Sequence, residues 1–130
     1  MSMFGAISTA HSGLQVHRTW LDATSDNIAN LNTVRSTDEP AFQARYVMAQ
    51  AVEGAGARVA GVEYGSAEGR LAHQPDHPLA DADGMVRLPD MDMGSQMTSL
   101  MLAQRGYQAN LSVVETARDA YRAALQLGRS

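Results

Sequence analysis

The sequence predicts a mainly α protein with a small β segment: long N- and C-terminal helices forming an intermolecular coiled coil, and a short, loop-rich β region between them. Three observations carry this. Ile7, Leu14, Leu21 and Ile28 recur every seven residues, with Met3, Ala10, His17, Thr24 and Leu31 at the interleaved positions. Met93, Met97, Leu100, Gln104, Tyr107, Leu111, Val114, Ala117 and Tyr121 keep a three-four spacing near the other end. Between them the chain alternates apolar with polar residues and is broken by Gly and Pro. Three-four spacing lines up one side of a helix, and such a seam is stable only against a second helix.

The chain has 130 residues, a formal net charge of −4 and no cysteine. That length suits one domain with extended arms. The weakly acidic balance gives no electrostatic footprint for nucleic acid. Without cysteine there are no disulfides, thiolate metal sites or thiol nucleophiles. Aromatic residues make up 5%, which argues against a large aromatic core, whereas the eight methionines suit surfaces that repack against partners. No stretch reaches the ~18 apolar residues of a membrane span, and the N-terminus lacks the basic start and apolar block of a secretory signal.

The first helix is expected over Met1–Leu31. No Asp, Glu, Lys or Arg occurs before Arg18, so this arm reads as covered on more than one side. Asn27, Asn30 and Asn32 mark its end, Asn being tolerant of the left-handed conformation found there. After a polar connection from Thr33 to Pro40, Phe42 to Met48 alternates as a half-buried strand. Val52 to Ala57 reads as a turn and Arg58 to Tyr64 as a second strand. Arg70 to Ala72 and Met85 to Leu88 are short strand candidates, separated by the proline-broken Gln74–Pro78 and by the tight-turn pair Asp83-Gly84. Pro89 ends the last strand, and Asp90 or Asp92 can cap the final helix, which runs to about Leu127 with Gly128 closing it. No charged residue occurs from Met93 to Gln104. Gly94 and Gly106 each cost that helix roughly 1 kcal/mol relative to Ala, so packing has to hold it together.

Two helices of about thirty residues run roughly 45 Å each, and the middle segment is too small to cover them. Half a dozen exposed Leu or Ile side chains, at about 1.5–3 kcal/mol each on burial, strongly favour packing among other chains. Catalysis finds no support. His73, Asp76, His77, Asp81 and Asp83 form the one candidate metal cluster, but their spacing fits no zinc helix and Pro75 and Pro78 set them in a loop. His11 and His17 are not aligned on a helical face, and no nucleophile elbow or phosphate-binding glycine loop is present.

Ser25-Asp26-Asn27-Ile28-Ala29-Asn30-Leu31-Asn32-Thr33 resembles the S-x-N-I-A-N-x-N-T signature of the rod and hook proteins of the bacterial flagellum. Pro75 to Val86, with Leu88-Pro89-Asp90-Met91-Asp92, resembles the D-P-x-H-P-x-A-D-x-x-G-Y-V-x-x-P-N-V-D run of the proximal rod members of that family. Met97, Arg105, Tyr107, Ala109 and Asn110 resemble its C-terminal helix. Met85 stands where Tyr is usual, and Asp90 where Asn is.

The resemblance implies a non-enzymatic subunit of the basal-body rod in the periplasm, polymerising through its terminal helices into a drive shaft that transmits torque and encloses the export channel. It implies no cofactor and no membrane insertion. The partners it implies are further copies, other rod proteins, the adaptor joining rod to membrane ring, and the flagellar type III export apparatus, with no signal peptide cleaved. Residues 1–33 would form an N-terminal core helix, 34–89 an outer β segment and 90–130 a C-terminal core helix. The expected assembly interface comprises Ile7, Leu14, Leu21, Asn27, Ile28, Asn30, Leu31, Met97, Leu100, Tyr107, Asn110, Leu111, Val114 and Tyr121. The competing readings are a self-contained helical hairpin binding one soluble partner, and a metal-dependent enzyme using His73, His77 and Asp81.

Overall fold

The computed structural model describes residues 2–129. Its elements are α1 (Met3–Ala29), β1 (Arg45–Val52), β2 (Gly56–Tyr64), β3 (Arg70–His73), β4 (Met85–Leu88) and α2 (Met93–Leu127). Met1, where the first helix was expected to begin, lies outside the described residues, as does Ser130.

Both helices start on side-chain caps. Ser2 Oγ accepts from Gly5 N at 3.0 Å, and Asp92 accepts from the Ser95 backbone N–H at 2.8 Å. The Ser95 amide, with its hydroxyl, holds the Asp92 carboxyl below the usual carboxylate range. The helix ends differ from expectation. No described residue other than glycine has positive φ, and Asn30 closes α1 at φ −105°. Its side chain satisfies the helix end instead: Nδ2 donates to the Asp26 carbonyl at 2.9 Å, and Oδ1 accepts from Thr33 Oγ1. Gly128 likewise closes α2 in the right-handed region.

α1 and α2 pack side by side and antiparallel. Asn27 meets Gln96 near one end, Gly106 and Gly13 receive the side chains of His17 and Asn110 midway, and Phe4 meets Tyr121 edge-on at the other. The seam between them is made of small and polar groups. Ala10, Thr24, Asn27, Gln96 and Ala103 are buried in it or beside it, whereas Ile7, Leu14, Leu21 and Ile28 are only half-buried. Small residues let the backbones close up. A Cβ on Gly106 would overlap the His17 ring, which is fixed by its Nδ1 to the Gly13 carbonyl at 2.7 Å.

The middle folds as two antiparallel hairpins. β1 pairs with β2 from Arg45↔Tyr64 to Val52↔Gly56, with a register slip between Met48 and Ala49. The ladder begins at Arg45, later than expected, because Ala41 and Ala44 are buried and bond singly to Ala67 and Gly65 rather than joining a strand pair. β3 pairs with β4, and Arg35 adds a bridge to Arg87. Val86, Leu88 and Pro89 are buried there. The Arg87 guanidinium reaches the carbonyls of Thr37 and Glu68, tying the connecting loops to this hairpin.

Candidate assembly interface

The geometry is set by one buried amide. Asn27 is 1% exposed. Its Oδ1 accepts from Arg45 N at 2.9 Å, and its Nδ2 donates to Arg45 O at 2.9 Å and to Gln96 Oε1 at 3.1 Å. A primary amide offers one acceptor and two donors, so Asn27 pairs with the first residue of β1 as a neighbouring strand would, while its remaining proton holds α2. An Asp26–Arg45 ion pair at 2.6 Å lies beside it. Asn27 was expected at the assembly interface; its hydrogen-bonding groups are instead used inside the chain. Asn110 also turns inward, donating to the Gly106 carbonyl at 2.8 Å.

From Arg45 the β1–β2 hairpin runs back along α1. Its turn is fastened where Ser12 Oγ accepts from Ala57 N at 3.0 Å and donates to the Thr9 carbonyl. Val16, His17 and Trp20 of α1, with Val47, Ala49 and Ala57 of the hairpin, line an apolar groove of about 270 Å³ between them. One flank of α1 is thereby covered.

The opposite flank is not. With 3.6 residues per turn, Ile7, Leu14 and Leu21 lie on the side of α1 away from Val16. In an antiparallel pair the adjoining flank of α2 carries Met93, Met97, Leu100 and Leu111, with Met101 just outside. Met93, Met97 and Met101 are 45%, 42% and 53% exposed, and Leu111 is exposed as well. Leu100, Tyr107 and Val114 are half-buried, as are Asn30 and Leu31 at the end of α1, and Tyr121 is exposed beside Phe4. Most of the residues expected at the interface therefore gather on one face of the helical pair, opposite the hairpin. Leu102 and Val113 add exposed apolar surface on the hairpin side of α2. Over its whole length α2 buries only Gln96 and Ala103.

The loop that suggested a metal has another role. Asp81 Oδ1 accepts from the backbone N–H groups of Asp83 and Met85, both at 2.9 Å, and Oδ2 accepts from Thr37 Oγ1 at 3.1 Å. The Met85 amide is the main cause of its lowered pKa. Gly84, at φ +74°, completes the turn. His77 Nδ1 faces the Leu79 N–H at 3.0 Å. Among the described residues no three His, Asp or Glu side chains converge on a point, and no helix is long and apolar enough to cross a membrane.

The sequence reading missed Gln96, Arg45, Ser12 and Arg87. Gln96 carried a usable signal: it is a long polar side chain within the charge-free start of α2, one position before Met97, where a buried polar group needs a partner. Arg45, Ser12 and Arg87 act on segments distant in sequence, and no local pattern marks them.

The comparisons agree with this architecture at both ends. A family model described as flagella basal body rod protein matches residues 7–35, and one described as flagellar basal body rod FlgEFG protein C-terminal matches residues 82–127. The flagellar basal-body rod protein FlgC of Yersinia enterocolitica is 34% identical over 99% of this chain and 100% of its own length. The FlgC protein of Salmonella typhimurium strain LT2 is 31% identical with the same coverage, and that of Bacillus subtilis strain 168 is 23% identical, also end to end.

Proposed function

The chain belongs to the FlgC family of flagellar basal-body rod proteins, and from that premise we propose how its helical pair builds the rod. It is a structural subunit of the flagellar basal body, not an enzyme, and it assembles with other rod proteins. The proposal is that Ile7, Leu14, Leu21, Ile28, Leu31, Met97, Leu100, Tyr107, Leu111, Val114 and Tyr121 pack against neighbouring subunits, forming a shaft that transmits torque around an export channel. Asn27, Asn30 and Asn110 support that surface from within. On this reading residues 1–33 and 90–130 form the inner wall and 34–89 the outside. The family resemblance supports a place in the periplasmic stretch of the rod, delivery by the type III export apparatus without a cleaved signal, and contact with the adaptor to the membrane ring.

One observation carries the proposal: the helical pair is closed, yet along one flank Met93, Met97, Met101 and Leu111 are exposed and Ile7, Leu14, Leu21 and Leu100 only half-buried. Monomeric proteins rarely leave a contiguous patch of this kind uncovered. Covering the exposed half of such a side chain contributes about 1 kcal/mol, roughly half of the value for full burial.

The test is to replace the native gene with one carrying Leu111→Asp. Leu111 lies at the surface, so the chain should fold and accumulate normally. A carboxylate there should exclude it from purified basal bodies and abolish swimming. Wild-type motility with the variant present in the rod would refute the proposal.

A further inference from the structure

The distribution of charge on the two helices goes further than saying that they pack against neighbours. α1 carries no Asp, Glu, Lys or Arg up to His17, then Arg18, Asp22 and Asp26. α2 carries none from Met93 to Gln104, then Arg105, Glu115, Arg118, Asp119 and Arg122. The helices are antiparallel, so each neutral half lies beside the charged half of its partner. The neutral half of α1 is at the Phe4–Tyr121 end, and the neutral half of α2 is at the Asn27–Gln96 end. Within one molecule the two neutral halves cannot meet.

Two copies placed α1 against α2 at the same height would set each neutral stretch against a charged one. That arrangement removes water from ionised groups without returning a partner, which is costly. Sliding one copy along the common axis changes the match. The centre of the neutral stretch in α1 and the level of the neutral stretch in α2 differ by about 22 Å at 1.5 Å per residue. At that offset, Leu14 of one copy reaches the level of Met93 and Met97 of the next, Ile7 that of Leu100 and Met101, and Phe4 that of Gln104. The charged half of α2 in the first copy then meets Arg18, Asp22 and Asp26 of the second, where both signs are present on both sides.

We propose that a second copy of this chain covers the Met93–Met97–Leu100 flank with the neutral first half of its own α1, the two copies being staggered by about 22 Å along the helix axis. The proposal rests on the rod-subunit reading and names the contact within it. Phe4 is 67% exposed despite its contact with Tyr121, so it is free to be covered. The unbranched methionine side chains adapt to a neighbour's contour. The contact joins different surfaces of the two copies, and such a contact repeats into a helical array rather than closing a dimer.

The absence of native cysteine makes the test clean. Ile7 and Met101 lie about 22 Å apart along the pair in one molecule, the same distance as the stagger. A disulfide requires Cα atoms within about 7 Å, so any bond between these positions joins two copies. Cells carrying Ile7→Cys with Met101→Cys should, after mild oxidation of purified basal bodies, yield a reducible dimer of this chain. Each single variant should yield none, and a strain expressing both single variants together should again yield the dimer. If the double variant does not build rods, Leu14→Cys with Met93→Cys reports the same contact about two turns away. Assembled basal bodies without dimer from either pair would overturn the stagger, as would equal cross-linking in the single variants. Wild-type chain absent from purified basal bodies would overturn the rod-subunit reading itself, a distinct result.

Discussion

At the scale of single residues, Asn27 joins three elements of the molecule. It is the point where α1, β1 and α2 share hydrogen bonds, and it is sealed from water. Removing it leaves the Arg45 amide and carbonyl and the Gln96 oxygen without partners. Net loss is about 1 kcal/mol per ordinary hydrogen bond, and more where a buried group is stranded. Asn27→Ala should therefore lower stability by about 2–4 kcal/mol in urea unfolding of the purified chain. An effect below about 0.5 kcal/mol, the usual range for surface changes, would show that the amide is not the junction described. Asn30 is instructive beside it. The sequence placed the end of α1 correctly within two residues, but for a reason the backbone does not share. The left-handed conformation is absent, and the Asn30 side chain closes the helix by bonding to Asp26 and Thr33. A residue type can signal a boundary through more than one chemistry, and the type alone does not say which.

At the scale of elements, the helix pair explains both what periodicity shows and what it hides. The spacing of Ile7, Leu14 and Leu21, and of Met93, Met97 and Leu111, located two helices and their extents, and Asp92 was among the two caps expected. It located only part of the seam between them. Ala10, His17 and Thr24 stood at interleaved positions of the heptad pattern and do face α2, but Gly13, Asn27, Gln96, Ala103 and Gly106 also build the seam, and their size and polarity leave no trace in an apolar pattern. Apolar periodicity reports surface that water must leave, whether the cover is the same chain or another. The β region was legible as hairpins with glycine turns, because Gly84 and the Asp81 loop follow local rules. The docking of Ala57 on Ser12 depends on segments far apart in sequence. Helix propensity and packing make opposite forecasts at Gly106. Alanine gains about 1 kcal/mol in an exposed helix, but here its Cβ would displace His17 and break the bond to Gly13. Overpacking costs typically 1–3 kcal/mol, so Gly106→Ala should lower the urea midpoint. A raised midpoint would mean that the helices do not approach as closely as described.

At the scale of the whole molecule, cover is unequally distributed. α1 is flanked by the hairpin on one side and α2 on another, whereas α2 has a single neighbour and leaves Met93, Met97, Met101, Leu102 and Val113 in water. The internal hydrogen bonds fix the shape of the unit, and the uncovered face gives that unit an affinity for others. Membership in a rod family supplies an assembly of like subunits, and the proposal is that this assembly covers the face. The most direct measurement is an image reconstruction of purified basal bodies at side-chain resolution. The account predicts that Ile7, Leu14, Met93, Met97 and Leu111 are enclosed by helices of adjacent subunits, with the β1–β2 hairpin on the outer side. A reconstruction in which that row faces open solvent or the central channel, and subunits touch only through the hairpins, would contradict it.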